Sequence, residues 1–273
     1  MNIGRPPGAP RRDSPDRCQS VTELGPETLP ASRTMWAMPM TRPLLCELHA
    51  HTTWSDGILT VAELVDLYGR AGFDVLAVTD HVLREREPGS RSIHAGNFDV
   101  YLGEIQDEAE RAWWTYRMLV LPGVELTDEH VQPEEAAHVV TVGTSRFYGL
   151  DDGLDAALDR AKDDGCLLIG AHPYAPEEAG KSLRGTARFA ASPEWAREAV
   201  HRLELINRHD FFHWVARSLL PAVATGDFHR REHLWTWKTV VCAELRPDAV
   251  LEHLRSPLPV ELTRVVSPRR RAA

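Results

Sequence analysis

Cysteine is scarce and unpatterned in this chain. Cys18, Cys46, Cys166 and Cys242 are scattered, and none forms a Cys-x-x-Cys pair. Cys46 and Cys166 lie inside apolar runs, where a free thiol packs as a small hydrophobe. Unpaired thiols suit a cytosolic compartment. No apolar run approaches the ~20 residues that a bilayer requires. Arg5, Arg11 and Arg12 are not followed by the apolar stretch of a secretory signal. A surplus of basic residues is also missing. The formal net charge is −9, which argues against a general nucleic-acid binder and against duplex substrates in particular. Gly-x-Ser-x-Gly and P-loop patterns are absent, so no serine nucleophile or phosphate-cradling loop of those kinds is expected.

Such a chain, with 43% hydrophobic and 26% charged residues, is that of a globular protein. Its 273 residues can bury one large core, and βα barrels run to this length as one domain. Residues 1–41 are rich in Pro, Arg, Ser and Gly and lack periodicity, so a disordered leader is expected there. Met35, Met38 and Met40 offer alternative starts, and a chain beginning near Met40 is expected to fold. The folded domain is expected over 42–266, and Arg269–Arg271 belong to a solvated basic tail over 267–273.

Between these ends strand and helix signals alternate. Apolar runs at Leu44–Leu48, Val75–Val78, Met118–Leu121, Val139–Val142, Cys166–Gly170, Leu203–Ile206, Val223–Thr225 and Val240–Ala243 read as strands. Thr60 with Glu63 forms a capping box that opens a helix striped by Val61, Leu64, Val65 and Tyr68, which Gly72 ends. Further helices are expected over Asp99–Arg117, around Leu154–Ala161 up to Gly165, and near Asp248–Leu254. Repeated βα units predict an α/β protein with a largely parallel sheet.

The positive content is in histidine and carboxylate. His49 and His51 flank one alanine, and residues i and i+2 of an extended strand face the same side. Ser55-Asp56-Gly57 follows. Val75–Val78 leads into Asp80-His81, and Pro122-Gly123 leads into Glu125. His138 heads an apolar strand, while His172 ends one and is stopped by Pro173. Asp227 and His229 repeat the i, i+2 spacing. Nine His and carboxylate groups at or near strand ends can converge only if the sheet closes on itself, and they then hold several divalent ions at one rim. His130 reads as a solvated loop residue, while His209 and His233 lie near strand-end loops within reach of a substrate.

Together Leu-His-Ala-His-Thr-Thr-Trp-Ser-Asp-Gly at 48–57, Val-Thr-Asp-His at 78–81, Pro-Gly-Val-Glu-Leu at 122–126 and Gly-Asp-Phe-His at 226–229 resemble the PHP (polymerase and histidinol phosphatase) family of metal-dependent phosphoesterases. The resemblance covers roughly residues 44–265. It implies a distorted (β/α)7-type barrel with the metal site at the C-terminal ends of the strands. It also implies ligand sets. His49, His51 and Asp227 would hold a first ion, Glu125 would bridge first and second, and His138 and His172 would complete the second. His81, His229 and Asp56 would hold a third. Many relatives have His at the position of Asp56, and a harder oxygen there loosens the third ion or changes its identity. Zn, Mn or Fe suits such imidazole-rich sites.

The expected reaction is hydrolysis of a small phosphomonoester or nucleotide by a metal-bridging hydroxide. Glu125, Asp227 and Asp80 are the candidate catalytic groups, with Asp80 expected to orient an imidazole from behind. Arg184, Arg230 and Lys238 are the first candidates to bind phosphate. Arg84, Arg86, Lys181, Arg208 and Arg231 stand behind them. Two alternatives remain open. One is a metal-dependent amidohydrolase, a class that often bridges its ions with a strand lysine for which this chain offers no suitable position. The other is a non-catalytic binding module.

Overall fold

The computed structural model describes residues 41–84, 91–179 and 186–267. Residues 1–40 of the leader expected over 1–41 and the end of the tail fall outside them, as do Arg86, Lys181 and Arg184. In chain order the elements are β1 (Arg42–Glu47), α1 (Val61–Arg70), β2 (Val75–Val78), β3 (His81–Leu83), α2 (Phe98–Tyr116), β4 (Leu119–Asp128) and β5 (Ala137–Val142). There follow α3 (Leu154–Asp163), β6 (Leu167–Ala171), α4 (Pro176–Ala179), α5 (Arg188–Ala191), α6 (Pro193–Ala199) and β7 (Arg202–Asn207). The chain continues through β8 (Asp210–Phe211), α7 (His213–Ser218), β9 (Ala222–Thr225), a 3₁₀ turn (Arg231–Trp235), β10 (Trp237–Ala243), α8 (Pro247–Arg255) and β11 (Glu261–Arg264). The capping box forms as expected. Thr60 Oγ1 accepts from Glu63 N at 3.3 Å, and Glu63 Oε2 accepts from Thr60 N at 3.0 Å.

One sheet runs β11-β10-β1-β2-β4-β5-β6-β7-β8, with β3 beside β4 and β9 beside β7. It curls until its two arms meet. Ala50 and Phe228 form a parallel bridge, with His51 N donating to Phe228 O at 2.8 Å and Phe228 N to His49 O at 3.1 Å. Thr239 Oγ1 on β10 also bonds the backbone of Ala224 on β9. The result is the distorted barrel that the resemblance implied.

The sheet is less parallel than expected. β4–β5, β5–β6, β1–β10 and β10–β11 are antiparallel. The reason is visible at β4–β5, which are joined by a loop over 129–136 with no helix, so the chain returns in the opposite sense. This reversal matters for the site. The N-terminal end of β5 reaches the rim that the other ligand-bearing strands, β1, β2, β4, β6 and β9, reach with their C-terminal ends, which is why His138 stands at the start of its strand.

Pleat parity sorts the side chains into layers. Leu121, Val140, Val142, Leu167, Ile169 and Val223 form one buried apolar cluster, closed below by Val250 and Leu254 of α8. Val120, Val124, Leu126, Val139 and Leu168 point the other way, into the cluster shared with α1 and α2. Glu125 has the parity of Leu121, His138 that of Val140 and Asp227 that of Val223. The apolar floor and the ligand layer above it are therefore successive tiers of one interior. No helix among the described residues is long and apolar enough to cross a membrane.

Candidate metal centre

Eight of the nine predicted ligands fall into three overlapping groups, His49–His51–Glu125, Glu125–His138–His172 and His51–Asp56–His81–His229, and Asp227 stands beside the first without belonging to it. All are buried except Asp56, whose side chain is 47% exposed. Glu125 stands between the first two groups with its oxygens divided. Oε1 lies 3.3 Å from both His138 Nδ1 and His172 Nε2, and Oε2 lies 3.5 Å from both His49 Nε2 and His51 Nε2. Asp227 Oδ1 is 3.5 Å from His51 Nε2 and 3.7 Å from His49 Nε2. Asp56 Oδ1 is 3.0 Å from His229 Nε2 and 3.3 Å from His81 Nε2.

The outward nitrogens are anchored. His49 Nδ1 meets Glu204 Oε1 at 2.9 Å, His172 Nδ1 meets Thr186 Oγ1 at 3.2 Å, and His81 Nδ1 meets Thr127 Oγ1 at 2.8 Å. His229 Nδ1 meets the Asp227 carbonyl at 3.0 Å. The contacts of His49, His172 and His81 favour a proton on Nδ1 and leave the Nε2 lone pair to face the carboxylates, whereas His229 Nδ1 also receives Arg208 Nη2 at 3.0 Å. For His51 the support is relayed. Its Nδ1 lies 3.4 Å from Ser55 Oγ, which donates to Asp80 Oδ1 at 2.5 Å. Asp80 also accepts from Thr52 N and Thr52 Oγ1, both at 2.8 Å. Fully buried, it stands behind the ligands rather than among them.

These residues fit divalent ions. Glu125 Oε1 and Oε2, Asp227 Oδ1, His138 Nδ1 and His229 Nε2 are buried without a hydrogen-bond partner. Glu125 Oε2 does lie 2.8 Å from His81 Nδ1, but outside hydrogen-bonding geometry. His49 Nε2 and His51 Nε2 are 2.9 Å apart. At that distance the two nitrogens need a proton or a metal ion between them, which is where metal and proton compete. Backbone strain sits at the same place, because His172 (φ 29°) and Asp227 (φ 40°) adopt left-handed conformations rare for non-glycine residues.

The electrostatics agree. Burial disfavours charge on Glu125, yet His81 and His49 hold its carboxyl well below the usual range. Burial likewise opposes charge on Asp227, but His49 and His229 hold it well below. On His49 burial is outweighed by Asp227, Glu125 and Glu204, which raise it well above an ordinary imidazole. His81 is pushed up to about 10 against burial, by Glu125 and Asp56. Without ions, then, protons supply the positive charge that the carboxylates demand, and metal and proton compete for these sites.

Of the basic residues expected at the mouth, Arg230 and Arg208 line a cleft of ≈ 430 Å³ beside Asp56, His229, Ile58, Glu232 and His233. Arg208 also grips the centre. Its guanidinium donates to the Asp227 carbonyl at 3.0 and 3.1 Å and pairs with Asp227 Oδ2 at 2.8 Å. Arg84 turns to Asp128 at 2.7 Å. Lys238 corrects the sequence reading. Its ammonium is completely buried, 3.0 Å from Glu47 Oε2 and 2.7 Å from Thr236 Oγ1, so it cannot meet a substrate at the mouth. A Cβ at Gly226 would collide with both members of that pair. Glu204 and Thr127 were not anticipated. A carboxylate inside the apolar run Leu203–Ile206 was the available signal for the first.

No family model matches the chain, and no curated protein matches its sequence. Among solved structures, a two-domain protein from Bacteroides vulgatus containing a predicted PHP-like metal-dependent phosphoesterase is similar at a TM-score of 0.61 and 20% identity. The match covers 82% of this chain and 66% of that one. The chain shares the fold of the part of that protein it covers, just under two thirds of its length. A provisionally named metal-dependent phosphoesterase from Bifidobacterium adolescentis is similar at a TM-score of 0.46 and 16% identity, over 77% of this chain and 96% of its own. An amidohydrolase from Chromobacterium violaceum, with bound sulfate and no metal, gives 0.49 and 16% over 80% and 97%. At these identities the likeness is one of fold, and the latter two are too loose to bear on chemistry. Within that shared fold, the candidate ligand groups at the rim are read from this chain's own residues.

Proposed function

We propose that this protein hydrolyses a small phosphate ester, a phosphomonoester or nucleotide, with two or three divalent ions held by His49, His51, Asp56, His81, Glu125, His138, His172, Asp227 and His229. The divided carboxylate of Glu125, facing two imidazole groups with no hydrogen-bond partner of its own, carries the reading. Bound ions would supply an activated water and positive charge for the phosphoryl oxygens. The chain's own residues do the positioning. Glu125 and Asp227 bring anionic oxygens into a dry pocket, and Arg208 keeps Asp227 from swinging out. Asp80 acts through Ser55 on the orientation of His51 and is a positioning residue, since no substrate can reach it. Arg230, at 61% side-chain exposure and only loosely paired with Glu232 at 3.7 Å, is free to turn to a phosphate in the cleft. Arg184, the other first candidate from the sequence, lies outside the described residues.

An acidic protein, to which bound ions would add positive charge at one mouth, suits a small ester better than a duplex. A bridging lysine of the amidohydrolase kind has no counterpart among the described residues, since Lys238 pairs with Glu47. The test is phosphate release from nucleotides, sugar phosphates and amino-alcohol phosphates by metal-reconstituted protein, beside digestion of labelled DNA and RNA. Turnover of at least one small ester is expected. Arg230→Ala should retain its metal and lose about 10- to 100-fold in kcat/KM. Duplex cleavage without turnover of any small ester would refute the proposal.

A further inference from the structure

The geometry points to Glu204 as a residue that couples the first and second ion groups, and we propose that role for it. The inference rests on the metal-dependent reading above. Glu204 lies on β7 at the centre of the barrel, fully buried. It belongs to none of the three ligand groups. Its Oε1 takes His49 Nδ1–H at 2.9 Å and the Thr225 hydroxyl at 2.5 Å. Its Oε2 takes the backbone N–H of His172 at 2.6 Å and Asn207 Nδ2 at 2.8 Å. One oxygen thus serves the first group and the other serves the second.

Each contact has a specific consequence. The bond to His49 fixes the tautomer that leaves Nε2 for an ion. The bond to His172 N holds a residue at φ 29°, a strained backbone that must be over-determined by its surroundings if the ring is to stay aimed. Thr225 lies two residues before Asp227, so the same carboxylate steadies the strand that delivers a further ligand. Glu125 joins the two groups from the front, and Glu204 joins them again from behind. All four partners are donors, and only a carboxylate can accept from all of them. A glutamine in this place presents oxygen to one side and an NH₂ to the other. Whichever way it turns, one group faces a donor opposite its own donor.

Cobalt(II) titration of chelator-stripped protein, followed by visible absorption and calorimetry, tests this without reference to activity. Wild-type protein is expected to bind in two or three steps. In Glu204→Gln two steps should weaken together, by about 10- to 100-fold, while any step belonging to His81, Asp56 and His229 is unchanged. Weakening of a single step would overturn the coupling and leave Glu204 as the partner of His49 alone, and unaltered binding would overturn the role entirely. Wild-type protein that binds no cobalt would instead defeat the metal-dependent reading itself. If Glu204→Gln does not fold, Thr225→Val withdraws one donor from Oε1 at nearly constant volume. It should weaken the same two steps to a smaller degree, and binding equal to wild type would again overturn the proposal.

Discussion

Replacing Lys238 by Met separates stability from substrate binding at a position where the two readings differ. In the structure the lysine ammonium neutralises Glu47 in a pocket closed to solvent, 3.0 Å from its carboxylate. Removing one member of a buried pair leaves the other uncompensated, at a cost of about 3–5 kcal/mol. Glu47 retains other donors, namely Tyr68 Oη at 2.8 Å, Gly226 N at 2.8 Å and Leu48 N at 3.2 Å. These place the cost at the lower end, about 3 kcal/mol. For a domain of this size that corresponds to a fall in Tm of roughly 6–12 °C. Thermal unfolding of metal-free protein, followed by circular dichroism, measures it. The double variant Glu47→Gln/Lys238→Met removes both charges and should recover at least half of the loss, since the two residues are directly coupled. An unchanged Tm with a raised KM would refute the reasoning and return Lys238 to the substrate.

Other expectations follow from the same geometry. Metal analysis of purified Glu125→Ala should show loss of most of two ions, whereas Asp56→Ala should lose mainly one, and full occupancy in Glu125→Ala would end the bridging assignment. His49 and His81 are raised in the ion-free protein, His81 to about 10, so at pH 7.5 both carry protons that a metal must displace. Calorimetry in buffers of different ionisation enthalpy should therefore record proton release on metal binding. Affinity should rise with pH and level off only above about 10, the point at which His81 is half deprotonated. Thr60→Ala removes the side-chain half of the capping box, the bond that Thr60 Oγ1 accepts from Glu63 N, and should cost about 1 kcal/mol, or roughly 2–4 °C in Tm, with metal content unaltered.

Much of this molecule was legible in its sequence because local signals agreed with one another. The runs at Val75–Val78 and Val223–Thr225, the box at Thr60 and Glu63 and the stop at Gly72 each depend on a few neighbouring residues, and each forms in place, the second run one residue longer at its start. The ligand candidates were legible for a related reason. A histidine or carboxylate at the end of an apolar strand is costly to bury unless it has a task, and the i, i+2 spacing of His49 with His51 states a direction. Strand sense was not legible at β5. Whether a chain returns parallel or antiparallel depends on what fills the connection, and the loop over 129–136 holds acids rather than a helix. Lys238 and Glu204 show the remaining limit. Each is a charged residue in an apolar strand, and sequence alone does not say whether such a charge faces a substrate, an ion's ligand or an opposite charge. Only the tertiary structure decided it. Pairing of β1 with β10 brought Glu47 to Lys238 across 191 residues of chain, and closure of the barrel brought His49 to Glu204 across 155, contacts that no local pattern encodes.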